Sequence, residues 1–318
     1  MDRRQRTMTS PSPCDGDTSP TLLGRNVSSM PYLQLGATVV LFGLSWPLIK
    51  IGLSASTPVW LAAGRATCSA LAAFVLLMAL RRLHWPSRAD WPIVLSVGAF
   101  QLTFFFALSN LGVQSVPPGR SGVLAYTTML WLVPLSLLIG ERVGWRGVAG
   151  ALLGLLGIVV LIDPWRFDWS DRAVIEGHGW LLLAGLSWAL AVLHARRHRW
   201  RLAPLDVLPW QMAVATILLW ILALTVESAG YLDFSQPNLW IALVYIGVLA
   251  GPAGTWAAVS VARALPPLTG SLGMLGTPLL GIASSVVLVG ESVTWPLVLG
   301  TALVIAGIAI VILDRSRI

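Results

Sequence analysis

Apolar residues in this chain run together in long stretches that contain almost no ionisable group. The stretches lack the polar face that a helix on a soluble core would need. About 20 such residues at 1.5 Å each cross ~30 Å of hydrocarbon. Arg clusters, Pro pairs and Asp residues separate them. Ten spans are predicted, over roughly 32–52, 58–80, 91–111, 119–139, 145–162, 179–195, 207–226, 239–260, 268–289 and 296–313. Residues 1–30 are different: rich in Ser, Thr, Pro and Arg, with no apolar stretch, they cannot bury enough surface to fold. The segment has no apolar signal-peptide core, and Asp2, Asp15 and Asp17 argue against a transit peptide. A disordered cytoplasmic tail is the expectation.

The spans repeat. Residues 140–162 read GERVGWRGVAGALLGLLGIVVLI and residues 290–312 read GESVTWPLVLGTALVIAGIAIVI. At a constant offset, Gly140, Glu141, Trp145, Gly150 and Gly157 fall on Gly290, Glu291, Trp295, Gly300 and Gly307. GLSW occurs at Gly43–Trp46 and again at Gly185–Trp188. Each half holds five spans, over 31–165 and 176–314. Five is odd, so the second half enters the bilayer from the opposite side. The fold class is therefore an all-α membrane protein, with ten transmembrane helices in two five-helix inverted repeats. Such repeats are a signature of secondary transporters.

Composition supports the same class. Apolar residues make up 56% of the chain and charged ones 11%, and mean hydropathy is +0.77. A soluble chain carries about 25% charged residues. The net charge of +7 does not point to nucleic acid, because the arginines are spread over loops rather than gathered on one face. Placing the N-terminus inside puts sixteen of the 21 basic residues on inner segments. That asymmetry sets orientation, with both termini cytoplasmic. A bacterial inner membrane is the expected location. Cys14 and Cys68 cannot form a disulfide framework and read as unpaired thiols.

These residues carry a resemblance. FGLSWPLIKIGL (Phe42–Leu53), TPVWLAAGRATCSALAAF (Thr57–Phe74), LAYTTMLWLVPLSLLIGERV (Leu124–Val143), GLSWALAVLHARR and GTPLLGIASSVVLVGES are similar, in that order, to helices one, two, four, six and nine of the drug/metabolite transporter superfamily in its ten-helix EamA branch. The match spans about 32–313. It implies a transporter of small metabolites, often an exporter, monomeric or homodimeric. It further implies a central cavity lined by helices one, three, four, six, eight and nine, with helices five and ten at the periphery. One departure stands out. The family's proline before Gly-Glu is present as Pro278, but the first half has Thr128 and Met129 there and Pro134 later, so the kink of helix four is expected to move toward Pro134.

Candidate transport residues are few, because a charge at the bilayer centre costs roughly 2.5–3.5 kcal/mol on insertion scales. Lys50 either snorkels to the outer interface or contacts an anion at the outer mouth. Arg65, two turns into its helix, either pairs structurally, with Glu291 as the candidate acid, or contacts substrate. Glu141 and Glu291 read as structural caps or gate latches. Uncharged groups complete the expected substrate site: Ser45, Trp46, Gln101, Tyr126, Ser187, Trp188 and Trp256. They suit amino-acid-like, amphipathic or aromatic solutes. Pro47, and Gly251, Pro252 and Gly254 in GPAG, interrupt their helices, which hydrocarbon tolerates only beside protein or cavity water. Neither a metal-ligand cluster nor a phosphate-binding loop nor a hydrolytic constellation is present, so no cofactor is expected and no enzyme activity. A small solute and the lipid bilayer are the expected partners.

An exporter is the leading reading. An uptake permease or passive facilitator is the alternative, and a membrane enzyme or a non-transporting scaffold the remote ones. In intact cells, a cysteine at position 170 should react with an impermeant maleimide, and one at position 198 only after permeabilisation. The reverse pattern would invert the topology.

Overall fold

The computed structural model describes residues 29–141, 143–166, 171–265 and 267–315. The expected tail falls outside them except for residues 29 and 30, as does Arg142. Among the described residues ten apolar helices are long enough to cross a membrane: α1 Met30–Gly52, α2 Pro58–Ala79, α3 Trp91–Ser115, α4 Pro118–Leu138, α5 Trp145–Ile162, α6 Arg172–Arg197, α7 Pro204–Val226, α8 Pro237–Val261, α9 Thr269–Val289 and α10 Trp295–Asp314. The chain is an integral, multi-pass, all-helical membrane protein. Proline opens α2, α4, α7 and α8, where its missing N–H is one that no helix would use. Helix α6 begins before the span expected at 179, because Asp171 caps it by accepting from Val174 N and Arg172 pairs with Glu176. That polar first turn carries no hydropathy signal.

Much of the helix packing recurs when the two halves are exchanged. Helix α2 packs on α7, α4 on α9 and α5 on α10. The contacts of α3 with α6 are matched by those of α8 with α1, and α4 with α6 by α9 with α1. The most extensive pair is α5 with α10, held by glycine. A Cβ on Gly150 would lie 2.8 Å from the Gly307 carbonyl oxygen, and one on Gly157 2.9 Å from that of Gly300. The 150-residue offset turns one of these contacts into the other, as a two-fold between antiparallel copies requires. Outward faces are apolar, with Leu152, Leu155 and Leu156 on α5 and Leu71, Val75 and Met78 on α2. Trp145 and Trp295, which open α5 and α10 at opposite ends of the bundle, are exposed, the position of interfacial anchors.

Loops clasp one another through backbone bonds at one end and meet through side chains at the other. At the end away from the termini, Thr57 N donates to Tyr231 O and Asp233 N to Ala55 O at 2.9 Å, around an isolated Ser56–Leu232 bridge. Glu227 Oε2 accepts from Val59 N at 3.1 Å. At the terminus-bearing end the corresponding loops meet through Asp90, which accepts from Arg201 N, and through an Arg82–Asp206 ion pair of 2.9 Å.

Helix interruptions are paired as well. Wide π turns replace α geometry over Val97–Phe104 in α3 and Leu243–Ala253 in α8. The second contains Pro252 of the predicted break; the first has no proline. A serine from a neighbouring helix satisfies a carbonyl in each: Ser187 donates to Phe100 O and Ser69 to Gly247 O, both at 2.7 Å. Helix α4 breaks at Tyr126–Thr127 and α9 at Met274–Leu275. The kink of α4 has therefore not moved to Pro134, which lies inside a continuous helical stretch. Hydroxyls do what a proline would: Thr127 Oγ1 donates to Leu124 O at 2.6 Å and Thr128 Oγ1 to Ala125 O at 3.1 Å, occupying carbonyls left by the turn. Gly140 and Gly290 then end α4 and α9 with φ of +77° and +69°, a left-handed turn that glycine adopts without strain.

The seam between α5 and α10 should tolerate no side chain. Gly307→Ala places a methyl 2.5 Å from Gly154 N and should cost at least about 1–3 kcal/mol by overpacking, seen as a lower melting temperature in detergent. Gly36→Ala, with open space around it, should leave melting unchanged or raise it.

Candidate functional site

A cavity of about 440 Å³ lies between the two halves. Its walls come from the interrupted stretches of the helices: Ser45, Trp46 and Ile49 from α1, Gln101, Phe105 and Phe106 from α3, Tyr126 and Met129 from α4, Gly251 and Thr255 from α8. Trp188 of α6 and Arg65 of α2 complete the centre. The lining continues through Val261, Leu265, Gly270, Ser271 and Ile312 to the terminus-bearing end. No residue of the loop clasp at the other end belongs to it.

Trp46 is buried, its ring in a slot that Gly122 of α4 and Gly281 of α9 leave open. A Cβ on Gly122 would approach the indole to 3.1 Å. Trp188 meets Phe105 edge-on, with ring centroids 4.6 Å apart. Ser45 lines the cavity while its hydroxyl donates to Leu41 O, one turn back and just before Pro47. Arg65 is 7% exposed, and its Cζ stands 3.8 Å from the centroid of the Phe106 ring, a cation–π contact. Its Nε has no hydrogen-bond partner.

The structure brings together Ser45, Trp46, Arg65, Gln101, Tyr126, Trp188 and Gly251 of the expected set. Four expected substrate or partner roles are not met. Lys50 turns away from the cavity and donates to the carbonyls of Val113 and Gln114, at 3.0 and 2.8 Å, closing the C-terminus of α3, where a cation is favoured by the helix dipole. Ser187 spends its hydroxyl on Phe100 O rather than on the cavity. Trp256 is 44% exposed and points out of the bundle, since the inward stripe of α8 runs through Gly251, Thr255 and Ala258. Glu291 does not pair with Arg65: it accepts from the backbone N–H groups of Gly119 at 2.7 Å and Arg120 at 3.4 Å, at the N-terminus of α4. That latch lies at the end away from the termini, beside the loop clasp. Its repeat mate Glu141 forms a half-exposed ion pair of 3.1 Å with Arg197. Gly254 is a packing position, its Cβ site 2.8 Å from the Phe42 ring.

Phe105, Phe106, Met129 and Met212 also line the cavity and were not anticipated. All have apolar side chains, and nothing in the sequence separates an apolar cavity wall from a lipid face. The one available cue was local: Phe106 stands one turn before Ser109 and Asn110, a polar pair buried against α2 through an Asn110 Nδ2 bond to Pro58 O.

Ten apolar helices in two halves with recurring contacts, and an aromatic and polar cavity between them whose lining continues to one end, define a membrane transporter. The chain belongs to the EamA-like transporter family, whose sequence profile matches it twice, over residues 30–163 and 175–313. It is similar to "Uncharacterized transporter YvbV" of Bacillus subtilis, with 25% identity over 287 residues, 88% of this chain and 90% of that one. It is also similar to a "Probable amino-acid metabolite efflux pump" of Salmonella typhimurium, with 25% identity over 288 residues, 86% of this chain and 91% of that protein. A solved crystal structure shares the fold, with a TM-score of 0.62 and 21% identity, covering 91% of this chain and 99% of that one.

Burial pushes the Glu291 carboxyl above its ordinary value of 4.5, against the pull of the two N–H donors and of Arg120. A folded state that holds this proton more tightly than the unfolded chain is fully favoured below pH 4.5 and loses that advantage as pH rises through the shifted value. Melting temperature should therefore fall across the interval just above pH 4.5, and Glu291→Gln should flatten that slope. Asp233, held below its ordinary 3.8 by Ser235, acts only at lower pH and should not mask the effect.

Proposed function

We propose that this protein is a secondary exporter of small organic metabolites, amino-acid-like, amphipathic or aromatic, in the inner membrane of a bacterium with both termini in the cytoplasm. The observation that carries the reading is a cavity between the two halves whose lining continues to one end only. That end bears the termini and most of the arginines, which the positive-inside rule assigns to the cytoplasm. An exporter loads from that side. The opposite mouth is held shut by Glu291 on α4, Lys50 on α3 and the loop clasp. Two relatives named as probable amino-acid metabolite efflux pumps, from Salmonella typhimurium and Escherichia coli, favour export and that substrate range.

Transport then proceeds by alternating access. One half rocks against the other, the outer latch opens, and the terminus-bearing end closes. The bending points are Pro47 in α1 and Gly251–Gly254 in α8, the latter at the end of the π stretch whose repeat partner lies in α3. Among the described residues no carboxylate belongs to the cavity lining, so the solute is held by aromatic faces, hydroxyl and amide groups and Arg65. Proton coupling would use Glu291 or Glu141 near the mouths, or the charge of the solute.

The test is a metabolite screen on cells overexpressing the protein, followed by counterflow of each hit in proteoliposomes. Intracellular depletion and external accumulation of a defined set of amphipathic metabolites is expected, with counterflow reduced at least about tenfold by Trp46→Ala, which removes a large aromatic contact area. Accumulation inside the cells would reverse the direction, and uphill proton-driven transport surviving Glu141→Gln with Glu291→Gln would remove the two glutamates from the coupling.

A further inference from the structure

Among the described residues Arg65 is the only cation in the cavity lining, and it has no acidic partner there. It is more than nine-tenths buried and its Nε makes no hydrogen bond. The carboxylate nearest in expectation, Glu291, is committed to the N-terminus of α4. The Phe106 ring supports the guanidinium without neutralising it. A buried, unpaired charge is costly, and the missing hydrogen bonds are those a bidentate acceptor would supply. Around it the walls are aromatic and apolar: Trp46, Phe105, Trp188 and Met212.

We propose that the cavity recognises organic monoanions, a single carboxylate docking on Arg65 while an apolar or aromatic body lies against Trp46 and Trp188. Deepening the exporter reading on which it rests, the proposal makes negative charge the handle by which the substrate is selected. One buried positive charge is neutralised by one negative charge, whereas a dianion would leave an uncompensated charge in the cavity. Among the described lining residues an ammonium group finds no carboxylate, only hydroxyl, amide and ring acceptors. Deaminated or N-acylated relatives of apolar amino acids should thus be preferred over the zwitterions, and amines should be rejected. The planar fork of arginine holds both carboxylate oxygens at once, which an ammonium in its place cannot do in the same geometry.

Three probes share one ring and differ in charge: 3-phenylpropionate, phenylalanine and 2-phenylethylamine. Binding of each to the purified full-length protein is measured by calorimetry for wild type, Arg65→Met and Arg65→Lys, with melting temperatures of the unliganded proteins alongside. Wild type should bind 3-phenylpropionate on the order of 10²-fold tighter than 2-phenylethylamine, with phenylalanine between them, the scale set by losing one partner of a buried, hydrogen-bonded charge pair. Arg65→Met should lose that preference and Arg65→Lys restore part of it. Unliganded Arg65→Met should melt no lower than wild type, because it removes an unpaired buried charge. Equal binding of the amine and the acid by wild type, no binding of any probe, a preference retained in Arg65→Met, or a marked fall in its melting temperature would each overturn the proposal. The exporter reading would survive all four outcomes; it falls only if cells and proteoliposomes show no transport of any solute.

Discussion

A peptide group in hydrocarbon has no water to bond, so every N–H and C=O the helices release must find a partner within the protein. The rest of this structure follows from that constraint. A solute cavity needs irregular backbone, and irregular backbone needs donors. The chain supplies them from small hydroxyl side chains on the same or a neighbouring helix. Ser187 and Ser69 hold the π turns of α3 and α8, while Thr127 and Thr128 hold the break of α4. Their hydroxyls are spent on backbone carbonyls, although Thr128 also borders the cavity. Wide turns are frequent at functional sites in helices, and here they bring Gln101 and Gly251 to the lining.

The spans and the duplication were legible because both rest on hydropathy and spacing, which the membrane enforces along the whole chain. The break in α8 was legible from Pro252. Its counterpart in α3 was not, since a hydrogen-bonding pattern set by packing and by the Thr103 bond to Gly98 O leaves no breaker in the sequence. The same turns explain why Trp256 was misplaced. Counting faces at 3.6 residues per turn fails across an eleven-residue π stretch, and Trp256 lies just beyond it. Lys50 and Glu291 were recognised as polar groups at helix ends, but their partners are backbone atoms of other helices, brought near only by tertiary packing. Arg65 was legible as costly; its lack of a partner could only be seen once the helices were assembled.

Exchangeable packing has an energetic corollary. If the contacts of one half reproduce those of the other, the conformation open at one end and its mirror open at the other are built from the same helix pairs. Their energies then differ mainly in what does not repeat. Those terms gather at the ends: a largely buried Glu291 on backbone N–H groups at one mouth, and a half-exposed Glu141 beside Arg197 at the other. Surface pairs of the second kind contribute little. On the proposed alternating-access reading, polar contacts at the mouths would weigh on the balance between states, and a solute could shift it through differential affinity.

The glycine seam between α5 and α10 bears on descent. Gly150 meets Gly307 and Gly157 meets Gly300, and each glycine of α10 is the repeat mate of one in α5. A chain of only five helices, carrying the two α5 glycines, would make this same contact with an oppositely inserted copy of itself. Fusing two such genes would need no new surface, only a linker and a bias in loop charge that fixes which half faces which way.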